Sequence, residues 1–342
     1  MLEKNMKESI DRKVKDWLST ITDPKVVNAI KKDLIVTGGC FTSMIMNEKV
    51  NDYDCYFRTK ETVIKVAQYY ANIWNTSHTV QINGRGVPSK VFVFDGDNPS
   101  KELLEYYGVT TKEQLYTHPA GIVRKTSPDR VKLVIPSDGV VSTESPSDGV
   151  VSTGETTDLN FNEIVSSLDE IFSSKVEEGI TNDGEQKYSP MYISSNAITL
   201  SDDIQIVVRF YGRPSEIHDT YDFIHTKAYY DFGKNVLQIP KDVYECVINK
   251  TLIYTGSKYP VCSLFRIRKF ISRGWRINAG QILKICLQVS ELDLMDIDVL
   301  EDQLIGVDTI YFSQLIDNIK SSGITQEEFT STYLISVIDK IF

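Results

Sequence analysis

The sequence predicts an α+β protein: a mixed sheet with flanking helices, followed by an all-helical C-terminal region. Three observations predict it. Helix-period segments alternate with short β-rich runs up to about residue 95. Strand texture returns between residues 191 and 239. From Asp242 onward, each segment repeats its apolar residues at helical spacing.

The elements follow in order. Leu2, Met6, Ile10, Val14, Trp17, Leu18 and Ile21 recur at helical spacing with charges between them. Asp23-Pro24 starts a second, short helix, with an N-cap and a proline in the first turn. Leu34–Val36 reads as a strand, Gly38-Gly39 as a turn, residues 41–47 as a helix and Asp52–Phe57 as a strand. Residues 60–74 are helical, with Val63, Val66, Ala67, Tyr70 and Trp74 on one face, and 91–94 is a buried strand. The decamers PSDGVVSTES and PSDGVVSTGE repeat at 136–155 and read as a flexible loop. Residues 160–178 read as a helix and 179–186 as a loop. Strands are expected at 191–200, 203–212, 220–231 and 235–239. Helices are expected at 241–252, 261–273, 278–290, 308–320 and 325–341. The domain reading is a head from 1–95 and 190–240, an insertion at 96–189 and a helical region at 241–342.

Composition narrows the class. The chain has 342 residues, 41% hydrophobic and 25% charged, which suits two or three globular domains. No apolar run approaches the ~18 residues of a membrane span. The start, MLEKNMKESIDRKVKDW, lacks the apolar stretch of a secretory signal. Cys40, Cys55, Cys246, Cys262 and Cys286 are odd in number with no C-x-x-C pair, which points to a reducing cytoplasm. A net charge of −10 argues against gripping nucleic acid over the whole surface.

The chemistry concentrates at Gly38-Gly39 and Asp52/Asp54. Residues i and i+2 of a strand share a side, so the two carboxylates point together while Tyr53 and Cys55 face packing. Paired carboxylates repel, and a shared divalent cation relieves them. Mg²⁺, or Mn²⁺, suits such oxygen ligands. Glycines before a helix N-terminus let the backbone approach a phosphate. Arg266, Lys269 and Arg273 share one face of a basic segment and could neutralise phosphate, as could Arg209 on a strand beside Gln205. His78, His118, His218 and His225 show no ligand spacing. No P-loop, Rossmann fingerprint or nucleophile elbow is present.

GGCFTSMIMNEKVNDYDCYF resembles the opening motif of polymerase-β-like nucleotidyltransferases, closest to the head of CCA-adding enzymes and bacterial poly(A) polymerases. YDFIHTKAYYDFGKNVLQI (221–239) is similar to that family's D-F-T-I-N-A segment, and LFRIRKFISRGWRI (264–277) to its neck helix. The three segments keep the family's order and cover about 55 residues. The departures are Cys40-Phe41-Thr42-Ser43 after Gly-Gly, Thr220 and Tyr221 where the family has arginines, and Cys262-Ser263 where its base-reading arginine stands. The resemblance therefore does not extend to CCA addition.

It implies transfer of a nucleoside monophosphate from an NTP to a hydroxyl acceptor (RNA, a small molecule or a protein). Asp52 and Asp54 would hold Mg²⁺, with Gln205 or Asp222 completing the shell. Gly38, Gly39, Thr42, Ser43, Arg209, Arg266 and Lys269 would contact the nucleotide. The alternatives are a catalytically degenerate nucleotide-binding or structural protein with the same fold, and a template-independent RNA-tailing enzyme. A degenerate but ordered family pattern beside a low-complexity repeat also points to a bacteriophage source acting in a host cytoplasm.

Overall fold

The computed structural model describes residues 3–77, 79–82, 85–88, 90–95, 98–116, 130–135, 187–304, 319, 323–325 and 328–341. The repeat at 136–155, the expected helix at 160–178, the loop at 179–186, His78 and His118 lie outside the described residues, as does most of the helix expected at 308–320. The described residues form two compact units. One takes those up to 135 together with 187–217 and 228–239; the other takes 218–227 and those from 240 onward.

The first unit begins with α1 (Glu3–Thr20) and α2 (Pro24–Asp33). Met6, Ile10, Val14 and Trp17 of α1 are fully buried, as their helical spacing predicts. Asp23 caps α2 by accepting from the Lys25 N–H. β1 (Leu34–Thr37), α3 (Gly39–Met46) and β2 (Tyr53–Phe57) follow. Next is α4 (Lys60–Ser77), whose Tyr70 hydroxyl accepts from Trp17 Nε1 at 2.7 Å. Asp33 is buried and accepts from the Thr59 and Thr62 hydroxyls, each at 2.6 Å, at the start of α4. A buried carboxylate there is both hydrogen-bonded and favoured by the helix dipole.

The unit continues through β3 (Thr79–Ile82), β4 (Arg85–Pro88), β5 (Phe92–Asp95), α5 (Lys101–Tyr106), α6 (Lys112–Tyr116) and β6 (Val131–Val134). β3 pairs with β4, and β5 with β6. Phe92, Phe94, Leu103, Leu115 and Val134 form a small satellite core. Then come β7 (Pro190–Ile193), β8 (Ala197–Leu200), β9 (Ile204–Tyr211), α7 (Pro214–His218), β10 (Tyr229–Asp231) and β11 (Val236–Gln238).

The main sheet has seven strands in the order β11-β10-β1-β2-β9-β8-β7. Within it, β2 and β9 run parallel and the other pairs antiparallel. Burial alternates along β8 and β9, so one face is packed and the other half-open. The packed face carries Leu34, Val36, Tyr53, Cys55, Phe57, Ile204, Ile206 and Val208.

The second unit holds a 3₁₀ turn (Ile224–Thr226), α8 (Lys241–Ile248), β12 (Thr251–Leu252), α9 (Pro260–Ser272), β13 (Arg276–Ile277), α10 (Ala279–Ser290), α11 (Ile297–Leu304) and α12 (Ser331–Ile341). Leu300, Leu304, Ile319, Phe329, Leu334 and Val337 form its distal core. The fold class is α+β, with a mixed sheet and a helical C-terminal region.

Several details differ from the sequence expectation, among them two strands, β7 and β8, where one was expected at 191–200, and the unforeseen β3, β4 and α7. Residues 220–228 are a turn-rich segment rather than strand. β12 and β13 form a two-residue parallel pair inside the region read as all-helical. α11 was not expected.

Candidate functional site

The half-open sheet face builds the site from the backbone outward. Register places seven side chains in one transverse row: Gln238, Tyr229, Thr37, Asp54, Gln205, Thr199 and Tyr192. Every member carries a hydrogen-bonding group. Thr37 is buried and donates to the Ala228 carbonyl at 2.6 Å. Asp54, Gln205, Thr199 and Tyr192 are half-buried.

Asp54 sits under the β1–α3 turn. Gly38 has φ +91°, and a Cβ there would collide with the Asp54 carboxylate. Only glycine fits, for two independent reasons. Burial first, and then the neighbouring Asp52 carboxylate, hold the Asp54 carboxyl well above the usual carboxylate range. Asp52 itself lies one residue before β2 and is exposed. Burial also pushes up the thiols of Cys40 and Cys55, which makes them packing groups rather than nucleophiles.

The sequence-predicted residues divide between the units. Gly38 is the N-cap of α3 and Gly39 its first residue, with open space where a Cβ would be. Thr42 and Ser43 lie half-buried on the same helix. Gln205 stands directly beside Asp54 in the β2–β9 register. Arg209 is buried four residues further along β9. Asp222, Arg266 and Lys269 belong to the second unit. There the Arg266 guanidinium donates to the Asp222 carboxylate at 2.7 Å. Lys269 is exposed on α9. Among the described residues, no group of three or more His, Cys, Asp or Glu could hold a metal ion.

Sequence reading missed Thr37, which pairs with Asp54, and Thr199 and Tyr192, which continue its row beyond Gln205. Their strand periodicity was visible, but not which strands lie side by side. His225 is core: it packs against Phe270 (ring centroids 4.6 Å apart) and Trp275 (4.4 Å), with Phe223 next to it.

The fold and site thus define a mixed-sheet α+β protein with a row of polar side chains across one sheet face and an acidic residue lodged beneath a glycine turn. The chain belongs to the Gabija anti-defense 2 (Gad2) family, whose model matches residues 8–250. It is similar to the protein described as "Gabija anti-defense 2" of Bacillus phage SPbetaL7, at 21% identity over 133 residues. That stretch is 39% of this chain and 33% of the relative, so the match spans about a third of the relative's length. No solved structure matches. The phage relative agrees with the bacteriophage source inferred from sequence.

The family match overturns the resemblance to polymerase-β-like nucleotidyltransferases. The expected transfer of a nucleoside monophosphate, and both alternatives (a catalytically degenerate nucleotide-binding or structural protein with that fold, and a template-independent RNA-tailing enzyme), are withdrawn with it. So are the nucleotide-binding and metal-dependent labels. The physical reason lies in what carried the resemblance. A Gly-Gly turn between strand and helix is a local device that satisfies backbone geometry in many folds. Asp222, a candidate third carboxylate, is engaged by Arg266, a candidate phosphate cation. No helix of the described residues is long and apolar enough to cross a membrane.

Proposed function

We propose that this protein is a phage-side antagonist of the Gabija anti-phage defence. It works in the host cytoplasm by binding a component of that defence. The observation that carries the reading is the family match over residues 8–250, which contains the whole main sheet. The half-buried members of the row, Asp54, Gln205, Thr199 and Tyr192, offer donors and acceptors at strand spacing, as recognition of a polar partner surface requires.

The test is a plaque assay. Bacteria with and without Gabija are infected by a Gabija-sensitive phage, with and without this protein. Plaques should be restored in the Gabija-carrying cells alone, and Asp54→Ala should restore fewer. Plaque counts that do not respond to the wild-type protein would sink the reading.

A further inference from the structure

The second unit carries a basic stretch in an otherwise acidic chain. Between Glu245 and Glu291 there are eight Lys and Arg and no Asp or Glu, in a chain of net charge −10. Arg266 pairs with Asp222, and Arg268, Lys269, Arg273, Arg276 and Lys284 are exposed along α9, β13, α10 and the turn before β13. Apolar side chains stand among these cations. Leu283 and Leu287 of α10 are 59% and 57% exposed, and Ile271 of α9 is 52% exposed. Beside them runs an open groove of about 590 Å³ lined by Ile224, Ile253, Tyr254, Leu287, Lys284 and Gln288. The Tyr254 hydroxyl bonds the Gln288 amide oxygen, which holds one wall in place.

We infer that the α9–α10 hairpin docks an acidic segment of a partner protein whose apolar side chains enter this groove. Charge complementarity selects the occupant. A cationic rim steers an acidic partner and sets its register, while exposed leucines need apolar anchors to cover them. A nucleic acid would satisfy the arginines but has no use for Leu283 and Leu287. A second copy of this chain would bring the same positive charge against itself, which disfavours a two-fold pairing. The inference rests on the anti-defence reading only for the partner's identity, a Gabija component. The hairpin lies outside the residues matched by the family model, 8–250.

The test has two readouts on the full chain. The first is fluorescence anisotropy with a short labelled Glu/Asp peptide carrying leucines at helical spacing. Controls are the same peptide without leucines and an oligo(dT) strand. The wild type should bind the leucine peptide, more weakly at about 0.3 M salt than at low salt. Leu283→Ser with Leu287→Ser, and separately Lys269→Glu with Lys284→Glu, should each weaken binding about tenfold. Circular dichroism should show both variants folded, since all four positions are exposed. No binding by the wild type, equal binding of the leucine-free peptide, or tighter binding of oligo(dT) overturns the docking surface. The second readout is the plaque assay. Variants that lose peptide binding yet restore plaques fully overturn the assignment of a Gabija component as partner. A wild type that binds the peptide but restores no plaques fails the anti-defence reading alone.

Discussion

The Asp54 carboxylate occupies the space that a Cβ at Gly38 would fill. The contact joins the β1–α3 turn to β2, and it fixes how deep the acid sits on the sheet face. Gly38→Ala should destabilise the protein by about 2–4 kcal/mol, from a strained positive φ plus the steric collision. Adding Asp54→Ala should recover the collision part and leave the strain. Thermal denaturation of the two single variants and the double variant gives the coupling. Strict additivity would show that the two residues do not meet.

Asp54 also makes a pH prediction. Its folded-state pKa is raised, so the native state holds a proton over a range where the unfolded chain has lost it. That contribution is fully present below the unfolded value of 3.8 and is lost as pH rises through the folded value. Asp54→Asn should therefore match the wild type near pH 3.5 and be more stable than it at pH 8. Asp52→Asn removes the second cause of the shift and should bring the Asp54 carboxyl down without normalising it. Carboxyl carbon NMR titration reads both. An Asp54 signal unmoved by Asp52→Asn would refute the electrostatic link.

The pairing of Asp222 with Arg266 predicts a structural coupling. Asp222 is buried, and Arg266 is partly exposed. Asp222→Ala and Arg266→Ala should each destabilise the protein, and their double variant should fall short of the sum by about 1 kcal/mol. Urea unfolding of the cycle measures it. The value stays modest because solvent screens the guanidinium side of the bond.

Much of the first unit was legible in the sequence, because its signals are local. Trp17 and Tyr70 show their faces through helical period, Asp23-Pro24 announces a helix start, and the Gly38-Gly39 turn is bracketed by two short apolar runs. The site was half legible. Asp54 and Gln205 could both be singled out, but Thr199 and Tyr192 join them only through strand order, which periodicity does not encode. Phe223 and His225 misled for a related reason. Their i, i+2 spacing with Tyr221 reads as strand, yet they sit in a turn whose aromatic side chains pack against Phe270 and Trp275. Thr251–Leu252 and Arg276–Ile277 are too short to show any period. The function was not legible: the motifs that suggested phosphate chemistry are small pieces, and Arg266 spends its charge on Asp222.

His225 gives the last prediction. The imidazole is fully buried among Phe223, Phe270 and Trp275, and burial pulls its pKa down from 6.5 to about 4, with the Asp222 charge opposing weakly. Between pH 6.5 and about 4, the unfolded chain binds a proton here that the folded chain refuses. Stability from this residue is therefore complete above pH 6.5 and is lost as pH falls toward 4. The loss at pH 4.5 should be roughly 2–3 kcal/mol. His218, also held down to about 4 by burial and then by Lys227, adds in the same direction. His225→Phe keeps an aromatic ring in the cluster and removes the titration. Urea unfolding at pH 7 and pH 4.5 should show the variant losing less stability than the wild type on acidification. Equal losses would mean that the ring is reached by protons in the folded state, and that the aromatic cluster opens before the rest of the unit unfolds.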